Sequence, residues 1–320
     1  MENARSFRAK ADLEEEDDPA VLRELASTYL RLGDATAAYL LYGELMERFP
    51  GDLEICLSFS RAMILKGELE EAERLLEVLI EEHASDQEIV SLYSELLART
   101  GREERARRLL RAAAQHPNQK AAALTQLAEL ELVAGDYVDA MKLADDALAA
   151  DSTEAGAWGI KAEAAWRDAE RAGGEGQSET AAHAHDNAER YIRRALAEDP
   201  SEPLAAYRAA YLASERREFS RAYELYQRAL SARPEWEAAH YNAGNVLRAM
   251  NRPAEALRHY DIAHTLGLDN VEVHLNRGVA LAMMRRFDEA AAAWQLALER
   301  NPDEEAAAGI RRNLQRLNRR

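Results

Sequence analysis

Apolar residues recur along the chain at spacings of three and four, as at Leu22, Leu25 and Tyr29 and again at Ala38, Tyr42 and Leu45. Residues so spaced share one face of a helix, and each stretch therefore predicts an amphipathic helix. The helices come in pairs. A small residue opens the second half of each pair at Ala38, Ala72, Ala106, Ala140, Ala188, Ala222, Ala256 and Ala290, at intervals of 34, 34, 34, 48, 34, 34 and 34 residues. The chain thus holds eight copies of one helix-turn-helix unit, one of them longer by 14 residues. Gly33, Gly67, Gly101 and Gly135 end first helices, while Pro50, Pro117, Pro200, Pro234 and Pro302 stop second helices or lie just beyond them. No unit of this size buries its apolar face alone, so neighbours must stack into one extended core.

The copy from Val271 to Glu304 places Gly278, Leu281, Phe287, Ala290, Trp294, Ala297 and Pro302 at its eighth, eleventh, seventeenth, twentieth, twenty-fourth, twenty-seventh and thirty-second positions. The copy from Pro19 to Asp52 offers Leu22, Leu25, Ala26, Tyr29, Gly33, Ala38, Tyr42 and Pro50 in the same scheme. This pattern of small, aromatic and Pro positions resembles the tetratricopeptide repeat. The resemblance implies an all-α fold, a right-handed superhelical α-solenoid of antiparallel helix pairs. It would form a single solenoid over 19–320, with repeats starting near 19, 53, 87, 121, 155, 203, 237 and 271.

The ends and the long unit depart from the pattern. Met1 to Asp18 shows no periodicity and is expected to be a mobile acidic arm, with Asp18 capping a first helix that starts at Pro19. From about Asp303 to Arg320, Ala306, Ile310, Leu314 and Leu317 form one stripe without a second helix to pair with, as a terminal capping helix should. The 14 extra residues, at about 168–186, contain Gly173, Gly174 and Gly176. About one added turn on each helix and a longer loop would absorb them, with Ser178 as a cap; a partner-binding finger and a tolerated surface insertion are both open.

Composition narrows the setting. Cys56 is the single cysteine in 320 residues, which excludes an internal disulfide framework. The first residues contain no apolar stretch, and a cytoplasmic protein is expected. A net charge of −17 argues against general nucleic-acid binding, for which concentrated Lys and Arg are needed. Arg311, Arg312, Arg316, Arg319 and Arg320 cluster at the end of the last helix, where cations suit the helix dipole.

Signals for catalysis are lacking. There is no H-E-x-x-H, P-loop or G-x-S-x-G, and the run around Gly173 lacks the strand and Lys of a phosphate cradle. His183 and His185, two apart, point in different directions on a helix and do not make a zinc pair. His240 and His274 share a unit position occupied elsewhere by Leu22, Leu124 and Trp158, and are expected to be satisfied core histidines. Carboxylate pairs such as Glu70 and Glu71 read as solvated helix faces. No enzyme activity, cofactor or metal is expected.

In the family this chain resembles, first helices line a concave groove that takes an extended peptide or a partner helix. Carried onto this sequence, the lining positions of the later repeats are Trp166 and Arg167, then Tyr207, Arg208 and Tyr211, then Tyr241, Asn242, Asn245 and Arg248, then Leu275 and Asn276. Exposed aromatics offer contact area, Arg takes carboxylates, and Asn pairs with a peptide backbone. The earlier repeats place Arg23, Ser27, Leu57, Arg61, Ser91, Glu95, Thr125, Glu129 and Glu163 there, so the main site is expected in the later ones. Relatives that clamp a C-terminal carboxylate use Lys, Asn and Arg; Asn245 and Asn276 fit, but Tyr241 stands where Lys is needed. Asn242 and Asn276 at successive sixth positions look more like a short backbone-holding Asn ladder. The expected function is a non-catalytic interaction scaffold or adaptor for a protein or peptide partner. The alternatives are self-assembly, with a terminal segment of one copy in the groove of the next, and, disfavoured by charge, single-stranded RNA binding.

Overall fold

The computed structural model describes residues 18–31 and 33–317, so the expected arm before Asp18, and Arg319 and Arg320 of the basic tail, lie outside the described residues. Among the described residues there are seventeen helices and no strands. The chain divides into two compact units, residues 1–134 and 135–320.

The first unit holds α1 (Pro19–Arg31), α2 (Ala35–Arg48), α3 (Leu53–Lys66), α4 (Leu69–Glu82), α5 (Gln87–Arg99), α6 (Glu103–Ala113) and α7 (Lys120–Ala134). Caps set where these helices begin. Asp18 accepts from the amide of Ala20 at 2.9 Å, Asp34 from Ala37 at 3.1 Å, and Asp52 from Ile55 at 3.2 Å. Packing follows the small-residue positions: Ala26, Ala38, Ala62, Ala72 and Ala106 are fully buried where helices cross, with Tyr42, Leu45, Leu76 and Leu96 filling the space around them. Cys56 lies in this core, its Sγ 3.5 Å from the Met46 sulfur, and burial, followed by the charge of Asp52, pushes its thiol pKa up.

The second unit holds α8 (Tyr137–Ala150), α9 (Ala155–Gly174), α10 (Ser178–Glu198), α11 (Pro203–Glu215), α12 (Phe219–Ala232), α13 (Glu237–Ala249), α14 (Pro253–Thr265), α15 (Val271–Met283), α16 (Phe287–Glu299) and α17 (Glu304–Leu317). Helices approach closely at the eighth unit position. A Cβ on Gly244 would lie 2.6 Å from Cε1 of Tyr260, and one on Gly278 would overlap the indole of Trp294. Ile310, Leu314 and Leu317 of α17 pack on the core that includes Trp294 and Leu281.

The insertion differs from expectation. It is taken up almost wholly by helix: α9 has 20 residues and α10 has 21, against 13 in α11, and only residues 175–177 join them. No lengthened loop exists. Gly173 and Gly174 remain helical, and of the three only Gly176 takes a left-handed φ, of 76°. Ser178 opens α10 as its first helical residue and does not cap it; Gln177 holds that place without a side-chain capping bond.

Turns inside the repeats share one geometry. In the early repeats the left-handed residue is Gly, as at Gly33, Gly67 and Gly101, whereas Arg217, Asn251 and Arg285 occupy it in the last three with φ near 60°. The same Schellman bonds close both kinds of turn: Glu68 N–H donates to Met63 O at 2.9 Å, and Arg286 N–H to Leu281 O at 3.0 Å.

Candidate functional site

The eleven lining positions expected in the later repeats fall on α9, α11, α13 and α15, the first helices of successive pairs in the second unit. Two of them are not surface groups. Trp166 is 5% exposed, packed edge-on against His185 at 4.9 Å and Tyr211 at 5.5 Å, and its Nε1 donates to Glu170 at 2.9 Å. Arg208, also 5% exposed, donates from Nε and Nη2 to the two carboxylate oxygens of Glu163 at 2.5 Å each, with its guanidinium 4.9 Å from the Trp166 ring. The expectation of exposed contact groups is corrected at these two residues. The physical reason is Glu163, on α9 one repeat earlier: a buried carboxylate is costly without a partner, and it draws the guanidinium inward. Burial works to raise the pKa of Glu163, but Arg208 and Arg167 outweigh it and hold the carboxyl below its usual range.

The remaining positions keep an accessible edge. Arg167 is exposed and donates to Glu163 at 2.9 Å; Tyr211 is 36% exposed; Tyr207, Tyr241, Asn242, Asn245, Arg248, Leu275 and Asn276 are half-buried. A polar register ties consecutive first helices together. Asn242 Nδ2 donates to the Tyr207 hydroxyl at 2.9 Å, and one repeat later Asn276 Nδ2 donates to the Tyr241 hydroxyl at 3.0 Å. Asn245 Oδ1 accepts from Asn276 at 3.0 Å and from the buried Tyr260 hydroxyl at 2.9 Å. Burial pushes the Tyr207 and Tyr241 hydroxyls above their usual pKa and that of Tyr260 up to about 12, so all three stay protonated near neutrality. Leu275 contributes its carbonyl to Trp294 Nε1 at 3.1 Å. Arg248 stands out chemically: its Nε is shielded from solvent and has no hydrogen-bond partner in the protein.

Behind this face, His240 is buried with Nε2 3.0 Å from Pro234 O and Nδ1 3.0 Å from Nδ1 of His259, which sequence reading passed over. Burial, then the neighbouring His240, lowers the His259 pKa to about 4, and burial lowers that of His240. His274 meets Asp269 through Nε2 at 2.6 Å, but its Nδ1 has no partner, so the expectation of a fully satisfied core histidine is corrected there.

The early-repeat positions sit in a different environment. Arg23 donates to Asp52 at 2.7 Å and lies 3.4 Å from Glu54, and Arg61 pairs with Glu88, each bond joining one first helix to the next. Two shallow clefts open beside them in the first unit. One, of about 550 Å³, is lined by residues including Arg23, Ser27, Tyr42, Phe49 and Glu54; the other, of about 290 Å³, includes Leu57, Arg61 and Glu88. Sequence reading placed Arg23, Ser27, Leu57 and Arg61 at lining positions but expected the main site in the later repeats, and the clefts themselves gave no sign in the sequence.

Profiles of the tetratricopeptide repeat match residues 29–96 and 241–306. No curated protein sequence matches the chain. Among solved structures, the APC/C heterotetramer Cut9–Hcn1 contains a similar chain, with a TM-score of 0.55, 16% identity, and coverage of 98% of this chain and 58% of that one. A monomeric mutant of IFIT1 with Gppp-AAAA gives a TM-score of 0.52 and 13% identity over 88% of this chain and 72% of that one. At such identities the likeness shows the fold alone, and the chain spans little more than half of the first of these relatives. Among the described residues no helix is long and apolar enough to cross a membrane. Repeats of this family serve in general as protein-interaction scaffolds. With its profile matches and its consecutive helix pairs, the chain carries tetratricopeptide repeats in an all-helical array.

Proposed function

We propose that the protein is a non-catalytic cytoplasmic scaffold that holds an extended peptide segment of a partner protein against the first-helix face of its later repeats, α11, α13 and α15. The observation that carries this reading is the Tyr–Asn register, Tyr207 with Asn242 and Tyr241 with Asn276, repeated one unit apart. Side chains already held in one rotamer lose little entropy when a ligand arrives, so a half-exposed, prebonded surface is suited to binding. Each Asn keeps its amide oxygen for a peptide N–H, and each Tyr hydroxyl keeps its proton for a peptide carbonyl. Arg248, half-buried on the same face, supplies a guanidinium suited to a ligand carboxylate.

A peptide display library panned against the whole chain tests the proposal. The expected result is a family of selected peptides whose affinity falls at least tenfold for Tyr211→Ala/Arg248→Ala, with helical content kept. Selected peptides that bind this variant unchanged, but lose affinity for Arg23→Ala/Arg61→Ala, would move the site to the first-unit clefts and refute the later-repeat assignment.

A further inference from the structure

The turn joining α14 to α15 gathers three metal-ligating side chains that the peptide-binding reading does not use. His264 lies in the last turn of α14, Asp269 in the connection, and His274 in the first turns of α15. Backbone bonds hold the connection in shape. Gly267 takes φ 105°, Leu268 N–H donates to Ala263 O at 3.0 Å, and Asn270 caps α15 through Val273 N–H at 3.0 Å. The two imidazoles meet edge to face, with ring centres 5.0 Å apart.

Their nitrogens converge on one carboxylate oxygen. Asp269 Oδ1 is 2.6 Å from His274 Nε2 and 3.8 Å from His264 Nδ1, and one ligand atom from each of the three residues lies within 4.8 Å of the others. His274 is 1% exposed, and the Nδ1 atoms of both histidines are shielded from solvent without a hydrogen-bond partner. A buried polar atom left so is costly. His264 Nδ1 stands 3.8 Å from an Asp269 oxygen, beyond hydrogen-bond reach, an arrangement that a bridging cation would resolve.

We propose that His264, Asp269 and His274 form a site for a Zn²⁺-class divalent cation. Two imidazole nitrogens and one carboxylate oxygen suit such a borderline ion better than Mg²⁺ or Ca²⁺, which favour all-oxygen shells. Donor atoms about 2.0–2.1 Å from a tetrahedral Zn²⁺ stand about 3.3 Å from one another. The observed 2.6 and 3.8 Å from Asp269 to the two imidazoles bracket that spacing, and all three donors lie within 4.8 Å of one another. Arg300, which donates to Asp269 at 2.9 and 2.8 Å, stands as the outer partner that orients the carboxylate. With three protein ligands, a fourth position stays open to water or to a group from a bound partner.

Zn²⁺ titrated into the full chain by calorimetry tests this, with Co²⁺ absorption reporting coordination geometry. His264→Phe keeps the ring packed on His274 and removes no hydrogen bond, only the ligand nitrogen. The expected result is one saturable site per chain, weakened at least a hundredfold by His264→Phe and unchanged by His183→Phe/His185→Phe, with the visible bands of tetrahedral Co²⁺ lost in the first variant. Equal affinity in wild type and His264→Phe, or only weak binding at many sites as an acidic surface would give, overturns the proposal. If His264→Phe loses helicity, the same comparison with Asp269→Asn decides.

Discussion

The first and second units are built from the same repeat yet hold neighbouring repeats in register by different chemistry. Along α1, α3 and α5 the links between first helices are solvent-washed ion pairs, Arg23 with Asp52 and Arg61 with Glu88. Along α9, α11, α13 and α15 they are a buried bidentate pair, Arg208 with Glu163, and the neutral Tyr–Asn bonds that follow it. Exposed pairs contribute about 0–1 kcal/mol each and weaken with salt, whereas removing one partner of a buried pair leaves an uncompensated charge. Register along α1, α3 and α5 is therefore cheap to disturb at these pairs, and along α9, α11, α13 and α15 it depends on a few side chains.

The sharpest way to break the comparison is Arg208→Met, which removes the bidentate partner of the buried Glu163 and leaves it only the exposed Arg167. It should cost about 3–5 kcal/mol by denaturant unfolding, while Arg61→Met in the first unit costs about 0–1 kcal/mol. Comparable losses would mean that the buried pair is not distinctive. Next, Gly278→Ala drives a methyl into the Trp294 indole, and a loss of about 1–3 kcal/mol is expected, with quenched or shifted Trp fluorescence. The same change at Gly51, where a Cβ meets nothing, should be near neutral.

Acid should separate the units as well. His240 and His259 have folded pKa values below the ordinary 6.5, so the unfolded chain binds protons first. Their contribution is complete above pH 6.5 and is lost as pH falls from 6.5 toward about 4, on the order of 3 kcal/mol from His259, with His240 acting in the same direction. Glu163, whose pKa is lowered from 4.5, adds its own loss only as pH falls below that value. Hydrogen exchange at pH 5 against pH 7, after correction for intrinsic rates, should show weakened protection around α13 and α14. Protection unchanged there and reduced around α3 instead would invert the comparison. The smallest effect concerns the turns. Arg285→Gly relieves a left-handed Arg and should stabilise by up to about 1 kcal/mol, whereas Gly67→Arg should destabilise by about 1–2 kcal/mol at the equivalent place.

Periodicity carried most of the fold in the sequence, because helix crossing demands a small side chain at fixed intervals and Ala38 through Ala290 display it openly. The left-handed turn was legible only where Gly marked it. Arg217, Asn251 and Arg285 adopt the same φ under the compulsion of identical flanking helices, and nothing in their identity announces it. The fate of Trp166 and Arg208 was hidden for a different reason. Position within a repeat says which way a side chain leaves its helix, but not that Glu163, 45 residues before Arg208, will turn it inward. The long unit misled through its glycines, which usually interrupt helices but are tolerated where two extended helices brace each other. The meeting of His264, Asp269 and His274 depends on the exact path of one turn, which spacing alone does not specify.

Cys56 gives the chain a built-in clock. Its thiol is 3% exposed and disfavours the reactive thiolate, so reagents reach it only when α3 parts from its neighbours. With no second cysteine to compete, the rate of alkylation at this one atom counts openings of the first unit and ignores those of the second. A bound partner that slows labelling would thereby declare that it braces the early repeats, with no probe added to the protein.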